Sequence, residues 1–191
     1  MNTLYPIFLK TEQLNFLIVG GGNVAYEKLF FILKSSPGTK ATVVAPMIRP
    51  EVRELAKKHA VELIDDIYNP SYLDGRHIVI ATTDQPEVNH QVYLDARERS
   101  LLVNVADTPA LCDLYLGGIV TKGNLKIAIS TNGKSPTLAK RLRQLFERIF
   151  PDDIDQLLAN LHRYRSTLKL SFEEKVDRMN ALTQELIENN D

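Results

Sequence analysis

Apolar runs alternate with mixed, helix-like segments along the first half of the chain. LNFLIV, from Leu14 to Val19, is almost wholly apolar and breaks into Gly20-Gly21-Gly22, the pattern of a strand covered on both faces. Val24 to Lys34 then sets Val24, Leu29, Phe31 and Ile32 among Glu27, Lys28 and Lys34, a helix that stops at Ser-Ser-Pro-Gly. ATVVA from Ala41 to Ala45 predicts a second strand. Pro50 opens a helix to about His59, and VELID from Val61 and HIVIAT from His77 to Thr82 predict two more strands. Asp84 and Glu87 stand in N-cap and N3 spacing before a helix to about Arg99, and LLVNVA from Leu101 to Ala106 predicts the fifth strand. Five apolar strands interleaved with helices predict an α/β fold, a Rossmann-like doubly wound parallel sheet.

After Asp107 the period changes. GGIVTKGNLKIAIS holds two strand-like runs around Lys122-Gly123-Asn124, turn chemistry for an antiparallel hairpin. Ser135-Pro136 supplies an N-cap and a first-turn residue for a helix with an apolar stripe at Leu138, Leu142, Leu145, Phe146 and Ile149, ended by Pro151. Two further helices are expected in the tail, the second announced by the capping-box spacing of Ser171 and Glu174. The expected organisation is a nucleotide-type domain over 1–110, a dimerisation and substrate-binding region over 111–150 and a helical region over 151–191. A hairpin and one amphipathic helix are too small to close a core alone, so a second copy of the chain is expected to complete the middle piece in a homodimer.

With 191 residues, the chain has no room for a nucleotide fold plus a large separate substrate domain. A hydrophobic share of 44%, a charged share of 25% and a net charge of -1 describe a globular chain with no global pull toward nucleic acid or membranes. Cys112 is the only cysteine, which excludes intramolecular disulfides and a cysteine-cluster zinc site within one chain. No apolar stretch reaches the roughly 18 residues of a membrane span, and the N-terminus lacks a basic n-region, so a cytoplasmic location without signal peptide is expected.

Gly20, Gly22 and Ala25 fit G-x-G-x-x-[GA] between a strand and a helix, where glycines allow a tight turn and let a pyrophosphate reach the N–H groups at the helix start. A glycine turn made for strand–helix packing alone is the simpler alternative. Candidate dinucleotide contacts are Gly20, Gly22, Asn23 and Val24, with Pro46 and Met47 after the second strand and Thr82 and Thr83 after the fourth. The usual acidic residue that grips the ribose is missing, because the second strand ends Val44-Ala45-Pro46-Met47. Arg49, close by, suits a 2′-phosphate or is simply solvated.

VGGGNVAYEK, TVVAP, NVADTP and AISTNGKSPTLAKRLR occur in this order. Together they resemble the precorrin-2 dehydrogenase and sirohydrochlorin ferrochelatase family, the N-terminal unit of siroheme synthases, over residues 1 to about 150. That family likewise lacks the carboxylate after the second strand. The resemblance implies NAD as cofactor, oxidation of precorrin-2 to sirohydrochlorin and, in some members, insertion of ferrous iron to give siroheme. It also implies that Asp107 is the catalytic group and that Thr131, with Ser130 beside it, lies by the tetrapyrrole.

The residues themselves agree with that assignment. Ligands of doubly wound sheets sit outside the carboxyl ends of the strands, and Asp107 stands just past the last one, where a carboxylate can take a proton from a reacting carbon or a pyrrole nitrogen. An N-cap before Pro109 is the structural alternative. From Thr121 to Phe150 the cations Lys122, Lys126, Lys134, Lys140, Arg141, Arg143 and Arg148 face Glu147 alone, a surface suited to the many carboxylates of a tetrapyrrole, with Lys134 and Arg141 as candidate contacts. No aromatics interleave these charges, which argues against single-stranded nucleic acid. His59, His77, His90 and His162 show no metal-ligand spacing, so no resident metal is expected. A regulatory module that binds NAD without turning it over is the reading from another class; it would have no need for Asp107 or the cationic segment.

Overall fold

The computed structural model describes residues 2–184 and divides into two compact units. The first comprises the described residues up to Gly118 together with Ala128–Ala139, and the second Ile119–Ile127 with the described residues from Lys140.

In the first unit, strands β1 (Asn15–Val19), β2 (Lys40–Val44), β3 (Val61–Ile64), β4 (Ile78–Ala81) and β5 (Leu102–Val105) form one sheet in the order β3-β2-β1-β4-β5, every pair parallel. Helices α1 (Asn23–Ser35), α2 (Pro50–Lys58) and α3 (Pro86–Glu98) make the crossovers. The apolar runs are continuous because both sheet faces are covered. Phe16, Ile18, Val43, Ile78 and Ile80 pack with Leu29, Leu33 and Val52 in one buried cluster. Their alternates Leu17, Val19, Val44, Val79 and Ala81 pack with Val92, Ala96 and Leu73 in another. Central strands of this kind bury their side chains completely, at roughly 1.5–3 kcal/mol for each large aliphatic group.

The expected Asp84 cap is not formed. Helix α3 starts at Pro86 with Gln85 as N-cap, and no side chain caps it. Proline at the first helical position loses nothing by lacking an N–H, so it sets the start and leaves Asp84 in the preceding loop.

The hairpin β6 (Gly118–Lys122) and β7 (Leu125–Ile129) turns at Gly123, whose φ of +54° suits glycine. Helix α4 (Pro136–Ile149) is capped by Ser135, whose Oγ accepts from the Leu138 amide at 3.2 Å. In the second unit, helices α5 (Ile154–Thr167) and α6 (Phe172–Thr183) follow, and α6 starts with the expected capping box of Ser171 and Glu174. Asp155 of α5 pins the hairpin turn, accepting from the Asn124 amide and side chain, each at 2.7 Å. Among the described residues no helix is long and apolar enough to cross a membrane.

Candidate active site

The strand order reverses between β1 and β4, and the loops that leave the carboxyl ends of β1, β2, β4 and β5 line one edge of the sheet. This is where ligands of doubly wound sheets bind. The three glycines after β1 have different tasks. A Cβ on Gly20, whose φ is +119°, would stand 2.6 Å from the Thr82 hydroxyl and 2.9 Å from its backbone, so this glycine lets the turn lie on the end of β4. A Cβ on Gly21 would meet the Met47 carbonyl and stand 2.9 Å from the Ile48 Cα, so this one seats the turn on the loop after β2. A Cβ on Gly22 meets nothing within 4 Å. Gly22 is also the N-cap of α1, with no capping side chain and no acid in the first turn. The N–H groups of Gly22, Asn23 and Val24 thus stand at the positive end of a 13-residue helix, with open space at Gly22. That cradle fits a pyrophosphate, and only at Gly22 would a side chain intrude on a ligand rather than on the protein.

Thr82 is 5% exposed, and its hydroxyl donates to the Val19 carbonyl at 2.9 Å, so it ties β4 to the glycine turn and has no hydroxyl proton left for a ligand. Thr83, half-buried, is gripped by Asn89 of α3: the Thr83 amide and hydroxyl donate to Asn89 Oδ1 at 3.1 and 2.7 Å, and Asn89 Nδ2 donates to the Thr83 carbonyl at 2.9 Å. Sequence reasoning misses Asn89; its signal is a polar residue on the buried face of an amphipathic helix. Pro46 and Met47 are both exposed, Met47 at 81%, and no carboxylate stands at the end of β2. Just beyond, the Arg49 amide donates to the Gly21 carbonyl at 3.0 Å, and its guanidinium forks onto Glu51 through Nε at 3.1 Å and Nη2 at 2.8 Å.

Asp107 leaves β5 with a φ of +57°, the left-handed region that costs a non-glycine residue about 1 kcal/mol or more. Its side chain is exposed and forms no hydrogen bond or ion pair with the described residues. The N-cap of the short turn at Pro109–Leu111 is Thr108, so Asp107 does not serve as its cap. The turn is closed by the Thr108 amide, which donates to the Val105 carbonyl at 3.2 Å, and the strand leading into it is tied by two residues further on. Cys112 Sγ accepts from the Val105 amide at 3.3 Å and donates to the Val105 carbonyl at 3.2 Å, while Asp113 accepts from the Val103 amide and pairs with Arg97 at 2.9 Å. Burial pushes the Cys112 thiol up, which keeps it protonated in this propping role.

The turn before α4 is also built from left-handed residues, Asn132 at φ +54° and Gly133 at φ +73°. Ser130 Oγ accepts from the Asn132 amide at 3.1 Å, and the Thr131 hydroxyl donates to the Ser135 carbonyl at 3.1 Å and accepts the Ser135 amide at 3.2 Å. Lys134 extends from this turn, exposed and without an acidic partner among the described residues. The cationic segment is less uniform than its sequence. Lys122 pairs with Asp152 and Arg143 with Glu147, whereas Lys140, Arg141 and Arg148 have no acidic partner among the described residues, Arg141 bonding only Gln144. No group of three His, Cys, Asp or Glu side chains among the described residues could hold a metal ion.

Comparison with known proteins bears on this arrangement. Residues 7–118 match the family described as "Putative NAD(P)-binding", and residues 122–149 match the central segment of sirohaem biosynthesis proteins. Siroheme synthase of Psychrobacter arcticus is 40% identical over 169 residues, covering 88% of this chain and 30% of its own length. Siroheme synthase of Methylobacillus flagellatus is 36% identical over 172 residues, covering 90% and 36%. The chain thus spans about a third of the length of these curated relatives. The solved structure of SirC, a precorrin-2 dehydrogenase, superposes with a TM-score of 0.73 at 24% identity, over 97% of this chain and 90% of that one, and shows the same fold. Matched over more than half its length by the first of these models, the chain belongs to the family described as "Putative NAD(P)-binding", and from the end of β6 through α4 it is similar to the central segment of sirohaem biosynthesis proteins.

Proposed function

We propose that this chain is an NAD-dependent precorrin-2 dehydrogenase that forms sirohydrochlorin, acting as a cytoplasmic homodimer. The observation that carries the reading is Asp107: an exposed, unbonded carboxylate held in a strained conformation at the carboxyl edge of the sheet, past the strand next to the one whose loop meets the glycine turn. A left-handed backbone whose carboxylate gains no structural bond in return is the mark of a positioned reactive group. The names of the siroheme synthases and of SirC support the substrate.

Gly22, Asn23 and Val24 would hold the pyrophosphate through backbone N–H groups, Pro46 and Met47 would serve the ribose, and Thr82 and Thr83 would shape the loop on the nicotinamide side. Bound there, NAD would supply the hydride-accepting chemistry. Asp107 takes the accompanying proton, so a hydride and a proton, in sum two electrons and two protons, leave precorrin-2 and the carboxylate becomes a neutral acid. Ser130, Thr131, Lys134 and Arg141 belong to the tetrapyrrole side, the two cations answering its acetate and propionate groups. Residues 1–110 serve as the nucleotide domain, 111–150 as the dimerisation and substrate region and 151–191 as the C-terminal region, of which 185–191 lie outside the described residues. Ferrous iron is a substrate of the same centre, because pyrrole protons need an acceptor before a metal enters and Asp107 provides one. Neither nucleic acid nor a membrane is a partner.

Anaerobic incubation of the purified protein with precorrin-2 and NAD tests the reading. The sirohydrochlorin spectrum should grow in step with NADH absorbance; NAD binding without either change would return the chain to a nucleotide-sensing role.

A further inference from the structure

The loop after β2 carries a cation that is already answered. Arg49 is the N-cap of α2, its amide fixed on the Gly21 carbonyl at 3.0 Å, so its backbone is anchored to the same glycine turn that receives the pyrophosphate. In dinucleotide-binding sheets this loop meets the adenosine ribose, and an arginine here is the group that accepts a 2′-phosphate. In this chain the guanidinium instead makes a two-pronged contact with both Glu51 oxygens, at 3.1 and 2.8 Å. Such a fork uses the geometry with which arginine grips a phosphate. Glu51 sits in the first turn of α2, where the helix dipole also favours an anion, and its carboxyl is held below its ordinary range first by the Arg49 hydrogen bond.

We propose that Glu51 determines cofactor choice by occupying Arg49 as an internal stand-in for a 2′-phosphate, so that NAD is accepted and NADP refused. The inference rests on the dinucleotide reading above and adds to it the residue that sets the choice. A 2′-phosphate brought to this loop meets a neutralised guanidinium and the repulsion of a carboxylate beside it. NAD brings a hydroxyl to the same place and meets neither penalty. The absence of an acidic residue at the end of β2 is then compensated two residues into α2, by a carboxylate that works through the arginine.

The test is calorimetric titration of the wild-type protein, Glu51→Gln, and Glu51→Gln combined with Arg49→Leu with NAD and with NADP at low ionic strength, each variant checked for an unchanged melting curve. Wild type should bind NAD more tightly than NADP. Glu51→Gln should shift the ratio of the two affinities about tenfold toward NADP, the usual worth of one charge-assisted hydrogen bond to the phosphate. The double variant should reverse that shift, since no guanidinium is left to release. A ratio unmoved by Glu51→Gln, a shift that survives loss of Arg49, or a wild type that already prefers NADP would overturn the inference while leaving the dinucleotide site standing. A folded wild type that binds neither nucleotide would overturn both.

Discussion

The sheet unit and the helical tail solve the problem of burial in opposite ways. In the first, strands β1, β2 and β4 are almost wholly buried, and the loops at the carboxyl edge are tied to one another: Gly20 on Thr82, Gly21 on Met47 and Ile48, Thr83 on Asn89. In the second, α5 and α6 contain no buried residue, and α4, which runs into it, has none either. Leu138, Leu145 and Ile149 of α4 are 51%, 41% and 57% exposed. The hairpin is held to α5 by polar groups, Asp155 on the turn and Lys122 on Asp152. One chain thus combines a sheet whose carboxyl-edge loops are tied to one another with a segment whose apolar stripe is left exposed.

The largest effect expected from this division belongs to Asp107→Asn. Asparagine tolerates the left-handed backbone at least as well as aspartate, so the variant should fold and bind NAD while losing sirohydrochlorin formation roughly a hundredfold or more, the usual worth of an acid–base group. Stopped-flow spectroscopy under anaerobic conditions gives the rate, and near-normal turnover would leave the strain at Asp107 without a catalytic purpose.

Next comes a pair within the glycine turn. Gly21→Ala pushes a methyl into the Met47–Ile48 backbone and should destabilise the protein by about 1–3 kcal/mol, whereas Gly22→Val meets no protein atom and should leave melting nearly unchanged while abolishing NAD binding. Thermal unfolding and calorimetry read the two outcomes separately. Loss of binding in neither variant would return the turn to a packing role.

The exposed stripe can be disrupted in the same spirit. Leu138→Asp with Leu145→Asp should leave the sheet unit folded and convert the proposed dimer to monomer in light scattering. A wild-type protein that is itself monomeric at micromolar concentration would remove assembly from the contrast.

The smallest effect is at Asp155. Its carboxyl is held below the ordinary value by the Asn124 amide and then by the Asn124 side chain. A depressed folded pKa means that its stabilising share is present above the unfolded value near 3.8 and is lost as the pH falls through the lower folded one. Protection of the Asn124 amide, taken relative to intrinsic exchange, should therefore fall below about pH 4, and Asp155→Asn should flatten that fall.

Local pattern alone specifies the alternation of strands and helices, the parallel sheet, the hairpin, the caps at Ser135 and Ser171, and the missing carboxylate after β2. An apolar run between glycines or a capping pair three residues apart reads the same wherever the segment ends up. The Asp84 cap fails because Pro86, equally local, outcompetes it. Other features depend on residues far apart in the chain. Three consecutive glycines look alike in sequence, yet two are shaped by neighbours at Thr82 and Met47 and one by open space. Thr82 and Thr83 read as equivalent hydroxyls, but one donates to β1 and the other is clamped by Asn89. Lys122 reads as part of a cationic surface until Asp152, thirty residues on, neutralises it. That β5 is tied to Cys112 and Asp113 beyond the Asp107 turn is equally invisible, because those contacts need the chain to fold back on the strand. Periodicity and capping are properties of neighbours along the chain, whereas which polar groups remain free for a ligand depends on contacts that close only when the sheet has assembled.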